Sequence, residues 1–170
     1  TGEIPPKIGN LINLTSLDLC TNHLTGEIPP EIGNLTKLTN FSLDGNDLTG
    51  EIPSEIGQLT NLIFLYLGNN VADNHNGFTG EIPPEIGNLI NLTYLSLYSN
   101  DLTGEIPPEI GNLINLEKLD LNNNQFTGTI PTEFENLINL YWLQIVGNQL
   151  TGIPESFCNI KYNLSSFNCY

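Results

Sequence analysis

Side chains able to carry out chemistry are few, and their spacing suits recognition better than catalysis. The two histidines, His23 and His75, each lie beside an asparagine-rich turn. Asp73 and His75 are close enough to suggest a metal, but a solvated loop is the favoured reading. The chain has no G-x-S-x-G elbow for a nucleophilic serine, no H-E-x-x-H pair for zinc and no glycine-rich phosphate loop. A non-enzyme without cofactor or metal is expected. The other candidates are aromatic: Phe64, Tyr66, Tyr94, Tyr98 and Trp142, with Lys118 and Asp120 among them. Exposed on a rigid support, such rings offer a partner large contact area at small entropic loss. The alternative is cross-strand packing that only favours strand formation.

What must position these residues is a repeat. Thr-Gly recurs at Thr1, Thr25, Thr49, Thr79, Thr103, Thr127 and Thr151, every 24 residues except for a 30-residue step from Thr49 to Thr79. The unit reads T-G-E-I-P-P-E-I-G-N-L-x-N-L-x-x-L-x-L-x-x-N-x-L. The extra residues are assigned to 71–76, and residues 151–170 form an irregular last unit after six full repeats. Leu-x-Leu, as in Leu119-Asp120-Leu121, alternates with period two and predicts a very short strand with one buried face. Ile-Pro, as in Ile28-Pro29, marks extended backbone on the opposite side of the coil. Pro-Glu-Ile-Gly-Asn-Leu is long enough only for a helical turn of 3₁₀ type, closed by glycine. Asn22, Asn46, Asn70, Asn100, Asn124 and Asn148 form a column whose amides are expected to point inward and pair with backbone groups of adjacent turns.

Stacked in register, these letters become straight lines. The positions between the buried leucines face out of one sheet: Ser16, Asp18 and Cys20; Asn40, Ser42 and Asp44; Phe64, Tyr66 and Gly68; Tyr94, Ser96 and Tyr98; Lys118, Asp120 and Asn122; Trp142, Gln144 and Val146. Variety is confined there, whereas residues 80–92 and 104–116 are identical letter for letter. Two acidic columns run elsewhere, Glu3, Glu27, Glu51, Glu81 and Glu105, then Glu31, Glu55, Glu85, Glu109 and Glu133. Four basic against 19 acidic side chains give a net charge of −15, which excludes a nucleic-acid binder, since phosphates need clustered basic residues. The apolar residues never run far enough to span a membrane.

The pattern resembles the plant-type leucine-rich repeat, with Thr25-Gly26-Glu27-Ile28-Pro29 and Asn46 a clear instance, over residues 1 to about 157. The resemblance implies an α/β solenoid: a right-handed coil with a parallel concave sheet, short 3₁₀ segments on the convex side and a second strand series carrying T-G-x-I-P. In similar proteins, such as polygalacturonase-inhibiting proteins and receptor ectodomains, the concave face is where partners dock. It therefore implies a protein, peptide or glycan partner for Phe64, Tyr66, Tyr94, Tyr98, Lys118, Asp120 and Trp142.

Family members usually carry a cysteine-rich cap, and Thr1 begins in phase without one, so the first coil is expected to have been trimmed or to be covered by something else. Cys158 and Cys169 flank the irregular last unit and either close a disulfide over its end or stay as two buried thiols. Cys20 is left over, as a tolerated surface residue or as the partner of another chain or of a missing cap. Sequons at Asn13, Asn34, Asn40, Asn91 and Asn163, taken with the cysteines, favour an extracellular or cell-surface location. The leading function is an extracellular recognition module. Its rival is a structural protein that stacks head to tail into a filament or surface layer. Ice binding through the threonine column ranks below both, because the neighbouring glutamates hydrate that surface.

Overall fold

The computed structural model describes residues 1–68 and 76–154. Among the described residues ten strands follow one another: β1 (Gly2–Glu3), β2 (Ser16–Asp18), β3 (Leu24–Gly26), β4 (Asn40–Ser42), β5 (Asp47–Glu51), β6 (Phe64–Tyr66), β7 (Gly77–Thr79), β8 (Tyr94–Ser96), β9 (Lys118–Asp120) and β10 (Trp142–Gln144). The Leu-x-Leu segments make a six-stranded parallel sheet in the order β10-β9-β8-β6-β4-β2, and T-G segments make a second one, β1-β3-β5-β7. Isolated bridges, Glu105 with Thr127 and Thr129 with Gly152, continue the second series where formal strands end. This is the two-series solenoid that the resemblance implies.

Between the sheets each turn is held by its own punctuation. Pro29 is extended, with φ −68° and ψ 138°, and the 3₁₀ segment Pro30–Asn34 starts immediately after it. Five further segments of the same kind, from Pro6–Asn10 to Thr132–Asn136, occupy the same phase. The glycine within these segments is dictated by the next turn: a Cβ on Gly57 would sit 2.6 Å from the Glu85 carbonyl oxygen and 2.6 Å from its Cβ. A different constraint acts on the T-G glycine, where Gly50 has φ +78°, a conformation that side chains resist.

The core is a continuous column of leucine and isoleucine, among them Ile32, Leu65, Leu95 and Leu119, each fully buried, joined by Phe41, Phe78, Phe126 and Phe134. The asparagine column works as expected at Asn46, Asn100, Asn124 and Asn148. Asn100 is 7% exposed; its Nδ2 donates to the Leu67 carbonyl of the turn before (3.1 Å) and to its own turn's Leu97 (3.0 Å), while its Oδ1 accepts from the Phe78 N–H at 3.2 Å. Two members differ from expectation. Asn22, in the first turn, is exposed, and its side-chain amide donates within its own turn, to the Leu19 and Cys20 carbonyls. The place expected for Asn70 belongs to Asn76, which is 1% exposed, donates to Leu43 and Gly68 and accepts from the Leu48 N–H. The extra residues thus precede the column asparagine, and the insert bounds of 71–76 shift toward the N-terminus to exclude Asn76. Asn70, Asp73 and His75 lie outside the described residues, as do Cys158, Asn163 and Cys169.

Candidate functional site: the concave face

Strand register turns the outward positions into columns. The first runs Ser16, Asn40, Phe64, Tyr94, Lys118, Trp142; the second runs Asp18, Ser42, Tyr66, Ser96, Asp120, Gln144. Because the strands are parallel and in register, aromatic residues separated by tens of positions in sequence become neighbours. Phe64 and Tyr66 stack with ring centroids 6.2 Å apart, Tyr66 meets Tyr94 edge-on at 5.0 Å, and Tyr94 meets Trp142 edge-on at 6.1 Å. All four rings are half-buried, so each keeps one side open. The Lys118 ammonium, rising from β9 between Tyr94 and Trp142, lies 5.5 Å from the Tyr94 centroid and 5.8 Å from that of Tyr141. Tyr141 was absent from the expected site, although it directly precedes Trp142; its 45% exposure adds a ring at the flank.

Beside this row the face is acidic. Gly68 has no side chain, and the Tyr98 ring fills the space: a Cβ built on Gly68 would come within 2.4 Å of Tyr98 Cδ1 and 3.1 Å of Ser96 Oγ. The Gly68 N–H donates to the Asp44 carboxylate, yet burial and the nearby charges of Asp18 and Asp120 still push this acid up to about 6. Burial also raises Asp120, which is 8% exposed, against the bond its carboxylate accepts from the Asn122 N–H at 3.1 Å. Asp120 is therefore a covered carboxylate on the floor, where the sequence suggested an open one. Tyr94 is pushed up to about 12, chiefly by burial, and Tyr98 is raised for the same reason, so all these phenols stay protonated at neutral pH.

The remaining expected positions fall elsewhere. Cys20 is exposed and free. Its thiol is raised, first by its hydrogen bond to Asp18, which keeps it protonated and weakens it as a nucleophile for a disulfide. Asn13, Asn34, Asn40 and Asn91 are all exposed, and Asn91 Nδ2 donates to the Thr60 carbonyl at 2.9 Å. Asn40 stands in the first column next to Phe64, so a glycan there would overhang the concave face. The first glutamate column is exposed throughout, whereas Glu31, Glu55, Glu85 and Glu109 of the second are half-buried. The threonine hydroxyls are turned back on the coil, Thr103 Oγ1 donating to the Gly80 carbonyl at 3.2 Å and Thr151 Oγ1 to Gly128 at 3.0 Å. Along the edge of the sheet runs an open groove of about 880 Å³, lined in part by Lys37, Ile63 and Glu117 with Asn61, Asn115 and Asn139. Among the described residues no group of three or more His, Cys, Asp or Glu could hold a metal ion, and no helix is long and apolar enough to cross a membrane.

Comparison with known proteins agrees with this architecture. The chain matches the models Leucine Rich Repeat, at residues 13–35, 37–59 and 139–160, and Leucine Rich repeats (2 copies), at 90–139. It resembles the ectodomain of the Arabidopsis thaliana receptor kinase GASSHO1/SCHENGEN3, solved with CASPARIAN STRIP INTEGRITY FACTOR 2, at 41% identity and a TM-score of 0.88, over 96% of this chain and 19% of that one. The Arabidopsis receptor kinase HAESA, solved with the peptide hormone IDA and a co-receptor, aligns at 38% identity and a TM-score of 0.86, over 96% of this chain and 26% of that one. A plant ice-binding protein aligns at 34% identity and a TM-score of 0.75, over 88% and 54% of the two chains. The chain thus spans about a fifth to a quarter of the length of these receptor ectodomains. No curated protein sequence matches it significantly. Repeat, coil and neighbours agree: the chain belongs to the leucine-rich repeat family, in its plant-type form.

Proposed function

We propose that the chain is an extracellular recognition module, a ligand-binding segment that takes up a protein, peptide or glycan on its concave face through Phe64, Tyr66, Tyr94, Tyr98 and Trp142, with Lys118 and Asp120 among them. The observation that carries this reading is the unbroken row of half-exposed rings, Phe64 to Tyr66 to Tyr94 to Trp142, at centroid separations of 5.0 to 6.2 Å. The rings are fixed by a hydrogen-bonded sheet, so little entropy is lost when a partner covers them. Peptide complexes of similar receptor ectodomains support a peptide as the first partner to test. Trp142 is the only tryptophan and stands in the row, which makes its fluorescence the direct readout. Titration with candidate peptides and plant cell-wall oligosaccharides should change that emission. Tyr94→Ala should weaken binding by about 1–2 kcal/mol or more, with folding retained. Unchanged affinity in both Tyr94→Ala and Trp142→Ala, the second read by titration calorimetry because it removes the fluorophore, would overturn the reading.

The plant ice-binding protein and the regular column Thr25, Thr49, Thr79, Thr103 and Thr127 favour a second reading, in which the T-G surface contacts ice. Exposed glutamates beside that column and hydroxyl protons turned inward weigh against it. Inhibition of ice recrystallisation that Thr103→Asp abolishes and Trp142→Ala leaves intact would select it.

A further inference from the structure

The concave face carries one charge problem that the aromatic row does not solve. Asp18, Ser96 and Asp120 share the second column, and Asp44 stands in the next one toward Gly68. Of the described basic side chains, Lys118 is the one on these strands, and it is held over Tyr94 and Tyr141 on the first column, away from the acids. Two oxygens on this floor are buried without a hydrogen-bond partner among the described residues: Asp44 Oδ1 and Ser96 Oγ. Ser96 is 1% exposed and Asp120 8%, so these groups have given up water. A buried oxygen with no donor is destabilising, and a carboxylate more so, unless a ligand supplies what the fold withholds. Gly68 brings the two oxygens to one place. Its N–H bonds the Asp44 carboxylate, the missing Cβ would lie 3.1 Å from Ser96 Oγ, and the Tyr98 ring roofs the same spot.

We propose, resting on the concave-face reading above, that the partner is a peptide segment bearing an arginine or lysine, whose cationic head is received at Gly68 by Asp44 Oδ1 and Ser96 Oγ, with Asp120 behind and the Tyr66 and Tyr98 rings alongside. An ammonium or guanidinium carries only donors, which is what a carboxylate and a hydroxyl oxygen lack here. The aromatic walls hold its alkyl stem and favour the positive charge. Tyr98 must turn aside to admit it, and a ring lying on a glycine, without a side chain locking it from below, is placed to do so.

The arrangement has a pH signature. The groups facing Asp44 are Asp18, which is lowered by its bonds from Cys20, Asp120, which is raised, the Cys20 thiol, which is raised, and the phenols of Tyr66, Tyr94 and Tyr98, which are raised out of range. Acidification below about 6 therefore neutralises Asp44, with Asp120 shifting in the same direction, while Asp18 keeps its charge longer. A cation bound to Asp44 should be released across that range.

The test selects a phage-displayed library of short linear peptides on the chain in about 0.3 M salt, which suppresses diffuse attraction to the net charge. Enrichment of arginine or lysine over the unselected library is expected. The best peptide is then titrated against Trp142 fluorescence. Its affinity should fall about tenfold from near pH 7.5 to near pH 5, and by a similar factor when its basic residue is replaced by citrulline or norleucine. Asp44→Asn should remove both the preference and most of the pH dependence; the citrulline or norleucine arm needs no variant protein and decides the matter if Asp44→Asn fails to fold. Selected peptides without basic residues that lose binding in Trp142→Ala would overturn this inference and leave the aromatic face standing. Peptides that bind without using Trp142 or Tyr94 would overturn both. A selection that enriches nothing would also overturn it, and would leave the face to a glycan or a folded partner.

Discussion

On the convex side and along the T-G sheet, every turn packs on a near-copy of itself, and the residues there answer to their neighbours above and below: glycine where the next backbone approaches, asparagine where two turns leave carbonyls to share. On the concave side, six strands with the same backbone register present different side chains at each step. The first region has its variation suppressed and most of its polar groups paired, Glu31 Oε2 being the buried oxygen there without a partner among the described residues. The second holds covered acids, two unpartnered oxygens and half-exposed rings. A sequence that spends its variation on the less satisfied surface places stability in one region and specificity in the other. Substitutions that separate the two effects test that division.

The largest effect is expected in the asparagine ladder. Asn100→Ala leaves the Leu67 and Leu97 carbonyls and the Phe78 N–H without their side-chain partner inside the core. Stability should fall by about 3 kcal/mol, read from urea unfolding, while ligand affinity of the folded fraction is unchanged. A loss below about 1 kcal/mol would mean that the backbone of adjacent turns is held by stacking alone. Next comes the glycine of the 3₁₀ segment. Gly57→Ala forces a Cβ against Glu85, at 2.6 Å, and should cost about 2 kcal/mol. Glu135 stands where five earlier turns have glycine, and Glu135→Ala should change stability by less than about 0.5 kcal/mol. Equal effects at the two sites would break the argument that the following turn dictates the residue.

The concave face should respond in the opposite sense. Asp44 titrates at about 6 in the folded chain against an ordinary value of 3.8, so the folded state binds a proton in that window and the unfolded state does not. Stability contributed at this site therefore rises as pH falls from about 7 toward 4, is complete below 3.8, and is missing at neutral pH, where the covered charge is a burden. Asp44→Asn should stabilise the chain at neutral pH by on the order of 1 kcal/mol, the shift being discounted for partial exposure, and should flatten this part of the pH profile. Asp18, held low by its bonds from Cys20, works the other way at more acid pH. A variant that gains stability and loses a basic ligand would mark Asp44 as kept for binding; one that loses stability would make it part of the frame.

Much of this was legible in the sequence because a solenoid converts sequence phase directly into position. The Thr-Gly spacing, the Leu-x-Leu strand and the inward asparagine each need only their nearest copies to be interpreted, and Phe64, Tyr66, Tyr94 and Trp142 came together as their phase required. What escaped was set by events off the phase. Asn76 takes a place in the column because hydrogen bonding to Leu43 and Gly68 selects the asparagine, and a string with several asparagines gives no local sign of which one. Tyr141 lies one position outside the outward set yet reaches Lys118 from just before the next strand. The covering of Asp120 and Ser96 depends on their neighbours in three dimensions, including a ring occupying the space above Gly68, and alternation alone cannot say how tall those neighbours are.

The smallest effect concerns the glutamates, and it sharpens the contrast between surfaces that are uniform and surfaces that are used. Glu3, Glu27, Glu51, Glu81 and Glu105 are exposed and in one phase, with parallel neighbours about 4.8 Å apart along the coil. In water like charges at that distance repel by somewhat less than about 1 kcal/mol per adjacent pair before screening. The second series differs: Glu31, Glu55, Glu85 and Glu109 are half-buried against the glycine of the turn before, so their stems contribute packing that salt does not touch. Raising salt to about 0.3 M, or adding millimolar Ca²⁺, should lift the melting midpoint by roughly 1–3 °C through the exposed series. Glu51→Gln combined with Glu81→Gln should raise the midpoint at low salt and shrink the response to salt. The paired change Glu55→Gln with Glu85→Gln should alter the response less. If both pairs respond alike, the repulsion belongs to the net charge of −15 as a whole and the column geometry adds nothing to it.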